Sequence, residues 1–161
     1  MPRKADIPTL AGFVSAPSDS VPDPNTMVCF CTRLRQVTRA VTQRYDRDLQ
    51  PSGLLITQVS VLVAISRAEF VPISALAEVL VMDRTTLTRN LGPLEKQGLL
   101  KVVAGKDRRT RYATLTAEGQ KTLAEVAPLW EQTQNQLIEG LGKERWDAML
   151  EHMSAVLALT W

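Results

Sequence analysis

The stretch from Val79 to Thr116 limits the possible folds of this chain most. It reads VLVMDRTTLTRNLGPLEKQGLLKVVAGKDRRTRYATLT, a capped helix followed by two short β segments that share a charged hairpin tip at residues 105–110. A helix can enter the major groove of DNA, and a basic hairpin beside it can reach a minor groove. This order of elements predicts a helix-turn-helix followed by a β-hairpin wing.

The predicted helix has one apolar face and one polar face. At about 100° per residue, Leu87, Leu91 and Leu94 share a face, whereas Thr85 and Arg89 each lie roughly 200° from Leu87. Asp83 precedes the helix as an N-cap. Hydroxyl and guanidinium groups can contact both base edges and phosphates. The predicted DNA-facing residues are Arg84, Thr85, Thr86, Thr88 and Arg89.

Charge supports nucleic-acid binding. Eight basic and three acidic residues lie between Asp83 and Arg111, a local net charge of +5 in a chain whose total is only +2. Positive charge concentrated in one segment suits the phosphates of DNA, which release counterions on binding. The basic residues of the predicted wing are Lys106, Arg108, Arg109 and Arg111.

The remaining sequence is mostly helical in pattern. Apolar residues at helical spacing predict helices near 26–50, 57–66, 73–80, 117–139 and 143–159. The expected fold class is mainly α with a small β-hairpin wing: a winged helix-turn-helix at about 54–116, flanked by dimerisation helices at about 26–50 and 117–160. The terminal helices carry more apolar surface than a small winged domain can cover, so we expect a homodimer.

The first 25 residues form a separate segment. They contain five of the nine prolines, and no signal-peptide hydrophobic region is visible in them. We expect a flexible N-terminal arm preceding a single domain over 26–161. No apolar run approaches the roughly 18 residues of a membrane span, so we expect a cytoplasmic protein without a membrane partner.

Three motifs together resemble the MarR family of bacterial transcription regulators. They are LAEVLVMDRTTLTRNLGPLEKQGLL, the wing residues Asp107-Arg108-Arg109, and LTAEGQKTL, and the similarity extends from about Cys29 to the C-terminus. The resemblance implies that Asp107 braces the wing tip and that Arg109 enters the minor groove. It also implies that Thr85, Thr86, Thr88 and Arg89 face the major groove, and that the first and last two helices form the dimer.

The sequence departs from the family pattern at three positions. Val81 stands where the family often has glycine, so a left-handed turn is not expected there, since β-branched residues disfavour positive φ. Pro72 replaces the usual Ser or Thr cap and is expected at the first position of its helix. Pro93 should remove one hydrogen bond from the recognition helix and bend it.

Two modes of control remain open. The resemblance implies a repressor that a small aromatic or anionic ligand releases from a palindromic operator, with the ligand in a cleft between the first, second and fifth helices. The alternative is redox sensing through Cys31 and Cys29. Cys31 and Tyr45 resemble a reactive pair in the family's organic hydroperoxide sensors, although Ile56 replaces a further tyrosine of those sensors.

The basic residues near the cysteines fit either mode. Arg33 and Arg35 could lower the thiol pKa or pair with a ligand carboxylate, and a cysteine can also be a buried small hydrophobe. Two thiols with only the distant His152 lack zinc-finger spacing, so no metal is expected.

Other classes of function have weaker support. No phosphate-binding glycine loop, metalloprotease motif or nucleophile elbow is present, so neither an enzyme nor a cofactor is expected. A winged-helix module that binds a protein partner without DNA remains an alternative, because fold does not determine function.

Overall fold

The computed structural model describes residues 29–105 and 109–160. The chain divides into two units, residues 1–40 and 41–161, and the boundary falls within the first helix, α1 (Phe30–Asp48). The arm predicted over residues 1–25 lies outside the described residues. Cys29 is the residue before α1, and its carbonyl oxygen accepts the first helical hydrogen bond from Arg33 N–H at 3.1 Å.

The second unit contains most of the secondary structure. After a short 3-10 turn at Gln50–Ser52, the elements are listed here in chain order: α2 (Ile56–Ser66), β1 (Val71–Pro72), α3 (Ile73–Val79), α4 (Arg84–Lys96), β2 (Leu100–Ala104), β3 (Arg111–Leu115), α5 (Ala117–Leu141) and α6 (Lys143–Thr160). The mainly helical fold with a small wing is confirmed. None of the helices in the described ranges is long and apolar enough to cross a membrane.

The wing is a three-stranded antiparallel sheet in the order β1-β3-β2. The predicted hairpin is present, with Leu100 opposite Leu115 and Ala104 opposite Arg111. The added strand β1 pairs Val71 with Ala113. Two residues are too few to show an alternating pattern, so the sequence did not predict this strand.

A single apolar core holds the helix-turn-helix together. Its fully buried side chains come from α2, α3, α4, the wing and α5, and the largest include Leu62, Leu76, Leu87, Leu94, Leu100 and Val126. α2 has four buried residues in eleven, which agrees with its nearly continuous apolar sequence. The core therefore fixes the placement of α4 and the wing on one scaffold.

Two predictions about the helix-turn-helix were wrong. Val81 adopts φ +52° and forms the left-handed turn between α3 and α4 after all. The hydrogen bonds from Val81 N–H to Glu78 O and from Met82 N–H to Ala77 O stabilise this turn in spite of the β-branched side chain. Pro72 precedes α3 as its N-cap, with φ −57° and ψ 135°, because it already pairs with β3 as part of β1.

Two helices continue past an internal proline. α4 continues through Pro93 to Lys96, and α5 continues through Pro128 to Leu141. The helix predicted to end near residue 139 continues through Gly140 to Leu141. Gly142, with φ +86°, ends the helix.

Candidate nucleic-acid interface

The outer face of α4 carries the side chains that the sequence predicted for it. Leu87, Leu91 and Leu94 are buried against the core. The predicted contact residues Arg84, Thr85, Thr86, Thr88 and Arg89 are all exposed. The helical period therefore predicted the orientation of this helix correctly.

The start of α4 is fixed by its cap. Asp83 Oδ1 accepts a hydrogen bond from Thr86 N–H at 2.9 Å, and the Thr86 hydroxyl donates to the other carboxylate oxygen. These hydrogen bonds from Thr86 hold the pKa of the Asp83 carboxyl below its usual value. The Thr88 hydroxyl donates to Arg84 O at 2.7 Å. Thr86 and Thr88 can therefore offer an incoming group mainly acceptor oxygens.

The arginines of α4 are available to a ligand. Within the described part of the chain, the guanidinium groups of Arg84 and Arg89 form no ion pair. Both side chains are exposed, Arg84 at the capped start of the helix and Arg89 five residues further along. A guanidinium can donate two parallel hydrogen bonds to guanine or to a phosphate.

The wing presents two further arginines. Arg111 is exposed at the start of β3 opposite Ala104, and Arg109 is exposed just before it. The hairpin is closed by the hydrogen bond from Gly105 N–H to Thr110 O at 2.7 Å. Lys106, Asp107 and Arg108 lie outside the described residues, so their predicted contacts with DNA, and the bracing of the tip by Asp107, stay predictions.

The end of α4 is joined to the start of α5 by a tight backbone contact. Thr116 N–H donates to Leu99 O at 3.1 Å, and the Thr116 hydroxyl donates to Gly98 O at 2.6 Å. The same hydroxyl oxygen caps α5, as predicted, by accepting from Gly119 N–H at 3.0 Å. A Cβ atom on Gly119 would lie only 1.9 Å from Leu99 O, so glycine is required here.

An apolar cleft of about 520 Å³ lies between α2, α3 and α5. Its lining residues come from α2, the end of α3 and α5, and they include Val59, Val63, Arg67, Val79, Val126 and Trp130. No residue of α1 lines this cleft, so the predicted ligand cleft between α1, α2 and α5 stays a prediction. The sequence did not predict Arg67 in this cleft, because it follows the last turn of α2, where periodicity does not indicate direction.

Tyr45 belongs to the core of the second unit. It is 7% exposed, and its hydroxyl donates a hydrogen bond to Gln134 of α5. Burial raises the pKa of this phenol. Ile56 N–H donates to Asp46 Oδ1 at 2.8 Å, which connects α1 to the start of α2. Tyr45 thus has a structural hydrogen-bond partner on α5.

The cysteines lie in the first unit, and both are exposed. Hydrogen bonds from the Thr32 backbone N–H and hydroxyl, with a smaller contribution from Arg35, lower the pKa of the Cys29 thiol. Cys31 borders a shallow cavity on α1 together with Arg35 and Arg39. Arg33 donates a hydrogen bond to Gln36 at 3.4 Å. The described residues contain no cluster of three or more potential metal ligands.

Comparisons with known proteins agree with this architecture. The sequence model of the MarR family matches residues 52–110. The transcriptional regulator MosR of M. tuberculosis, solved in complex with DNA, is 36% identical, with a TM-score of 0.72 over 83% of this chain and 99% of MosR. The transcriptional regulator HosA of Escherichia coli is 29% identical over 120 residues, which are 74% of this chain and 87% of HosA.

A third relative supports the fold alone. A mutant MarR from Escherichia coli complexed with operator DNA has a TM-score of 0.75 over 83% of this chain and 96% of that protein, at 21% identity. The chain is thus a winged helix-turn-helix protein. It belongs to the MarR family of transcription regulators, which are generally DNA-binding proteins without enzymatic activity.

Proposed function

We propose that this protein is a homodimeric repressor that reads a palindromic operator through α4 and the wing. The outward face of α4, where Arg84 and Arg89 are exposed beside a capped helix start, carries this proposal. That MosR was solved in complex with DNA supports it. The wing arginines Arg109 and Arg111 extend the basic surface towards an adjacent groove.

Titration of duplex DNA at several salt concentrations tests this function. Each phosphate contact should contribute close to one unit to the slope of log K against log salt, and a dimer with several contacts should give a steep slope. A protein-interaction module on the same fold would give a flat one. Arg89→Ala should reduce discrimination between operator and random duplex, because its guanidinium is the candidate for base contact.

In this proposal, α6 packs against a second copy of the chain and forms part of the dimer interface. None of its residues is buried, and Leu150, Met153 and Leu157 form an exposed apolar stripe at helical spacing. Such stripes are uncommon on monomers and typical of symmetric dimer interfaces. Leu157→Glu should shift the mass measured by light scattering towards the monomer. Ala148→Glu, on the opposite face of α6, is the matched control and should not change the mass.

The cleft between α2, α3 and α5 is the candidate effector site. Val59 and Val126 form an apolar floor, Val63 and Trp130 form exposed walls, and Arg67 supplies a positive charge. This combination suits an aromatic carboxylate, whose ring is apolar and whose acid group can pair with a guanidinium. Binding there would change the packing of α5 and α3, and α3 packs on the recognition helix.

Tryptophan fluorescence tests the effector site. Benzoate and larger aromatic carboxylates should quench Trp130 and release DNA, and Ala64→Phe, which fills the cleft, should abolish both effects. Ala124→Phe lies on α5 outside the lining and should respond as the wild type does. Equal responses of the two variants would show that this cleft is not the effector site.

Thiol oxidation is a second candidate for control, and the lowered pKa of Cys29 favours it. A Cys29 thiolate would attack a hydroperoxide oxygen, giving a sulfenic acid and releasing the alcohol. The Cys31 thiol would then displace water to form a disulfide. The resemblance assigns the reactive thiol to Cys31, whereas the lowered pKa is that of Cys29. Loss of DNA on peroxide treatment in wild type but not in Cys29→Ser would support this mode, and equal release would refute it.

A further inference from the structure

One carboxylate connects the recognition helix directly to the wing. Glu95 lies in the last turns of α4, and its Oε1 atom accepts a hydrogen bond from the backbone N–H of Val102 at 3.0 Å. Val102 is the middle residue of β2. This is a side-chain bond between the two elements that are proposed to enter different grooves of DNA.

The position of Val102 in the sheet explains why this bond is possible. β2 is an edge strand, since the sheet order is β1-β3-β2. The backbone bonds from Thr116 N–H to Leu99 O and from Gly105 N–H to Thr110 O place odd-numbered residues of this strand towards β3. In an antiparallel pair the intervening residues point their N–H groups the other way. Val102 N–H therefore needs a partner outside the sheet, and Glu95 supplies it.

The charge of Glu95 is unfavourable for DNA binding in itself. It is one of three acidic residues in the segment 83–111, which also contains eight basic ones. Its side chain is exposed on the last part of α4. A carboxylate on a surface that approaches phosphates opposes binding by like-charge repulsion. Electrostatics alone would therefore favour its replacement by a neutral residue.

We propose that Glu95 is a positioning residue, which holds the wing at a fixed distance from α4 so that Arg89 and Arg109 reach adjacent grooves together. The inference rests on the proposed DNA binding and adds a residue that touches no DNA itself. Fixing the two elements before binding lowers the entropy cost of placing both at once. The core holds the base of the wing, and the Glu95 bond restrains the middle of β2 beyond it. Without this bond, that part of the wing would have to be ordered on the DNA, at the expense of affinity.

Two conservative substitutions separate the effect of the hydrogen bond to Val102 from the effect of the negative charge. Glu95→Gln keeps an acceptor oxygen at the same reach and removes the charge, whereas Glu95→Asp keeps the charge on a side chain that is one methylene shorter. If Glu95 positions the wing, Gln should bind operator DNA at least as tightly as wild type. Asp should bind about tenfold more weakly, a change of about 1.4 kcal/mol. Glu78→Gln, at an exposed position of α3, controls for loss of a carboxylate.

The opposite pattern overturns the proposal. If Glu95 acts only through its charge, Gln should bind more tightly and Asp should equal wild type. Equal loss in both variants would also overturn it. A wild type that binds no duplex DNA would refute the proposed function as well, whereas a wild type that binds and shows equal Asp and Gln affinities refutes only the positioning role.

A double-mutant cycle with the wing gives an independent readout. Arg109→Ala should weaken operator binding in the wild-type background, and by a clearly smaller factor in the Glu95→Asp background, because the middle of β2 is no longer restrained against α4. Interaction energies of this kind are what such cycles measure. An equal factor in both backgrounds would show that Glu95 does not act through the wing and would overturn the proposal.

Discussion

Gly119 is the residue at which a single methyl group should have the largest effect on the scaffold. Its Cβ would lie 1.9 Å from Leu99 O and 2.9 Å from Leu99 C, both of them backbone atoms. Ordinary contact begins near 3.4 Å, so α5 and Leu99, the residue before β2, would have to separate by about 1.5 Å. Gly119→Ala therefore forces the start of α5 away from the end of the recognition helix.

The cost follows from the bonds that this separation breaks. Thr116 N–H to Leu99 O, at 3.1 Å, and the Thr116 cap on Gly119 N–H, at 3.0 Å, both depend on the close approach. A hydrogen bond contributes about 0.5–1.5 kcal/mol net, and an N-cap contributes about 1 kcal/mol. The gain in helix propensity from glycine to alanine offsets up to about 1 kcal/mol. We expect a net loss of about 0.5–2.5 kcal/mol in the free energy of unfolding.

Thermal and urea unfolding of purified Gly119→Ala measure this loss directly. For a chain of this length, the melting temperature should fall by roughly 2–4 °C per kcal/mol. Gly140→Ala is the matched control, because Gly140 lies in the same helix with nothing within 4 Å of its Cβ position, and it should gain about 0.5–1 kcal/mol. If Gly119→Ala is as stable as wild type or as Gly140→Ala, the backbone contact does not constrain the fold as argued.

Three further predictions concern the interface and its support. Arg109→Ala should cost about 1–3 kcal/mol of operator binding in a gel-shift titration while leaving the oligomer unchanged, and full affinity would contradict a groove contact. Thr116→Ala should lower the unfolding free energy by about 1 kcal/mol, and Thr116→Ser, which keeps the cap, should retain most of it. The hydrogen bond from Arg44 is the main cause of a lowered pKa at the Asp48 carboxyl. Ionised Asp48 therefore stabilises the fold above its unfolded pKa of about 3.9, and this stability is lost as the pH falls through the lower, folded pKa. The melting-temperature difference between wild type and Asp48→Asn should therefore be present at pH 7 and disappear in acid, and a constant difference would refute this assignment.

Local patterns predicted the parts of the interface that depend on one helix at a time. The period of Leu87, Leu91 and Leu94 was sufficient to orient α4, since their burial leaves Arg89 and Thr85 outward. The side-chain caps Asp83 and Thr116 were predicted equally well, because each acts on a backbone N–H three residues away. Both features are local in sequence and need no knowledge of packing.

Features set by tertiary contacts could not be predicted in this way. Val81 adopts a conformation that its side chain disfavours, because the packing of α3 against α4 demands a turn there. The cleft involves α3 because Val79 and Leu80 face Leu123 and Trp130 of α5, a pairing that no periodicity reveals. The Glu95 bond depends on which edge of β2 is free, which is a property of the whole sheet.

Selection from a pool of randomised duplexes tests the central claim most directly, namely that α4 and the wing of a dimer read a specific DNA sequence. Wild type should enrich an inverted repeat whose half-sites are centred about one helical turn, roughly 10 base pairs, apart. Arg89→Ala should enrich a weaker or altered half-site under the same conditions. Recovery of an unenriched pool with wild type, or of the same half-site preference with Arg89→Ala, would contradict the account.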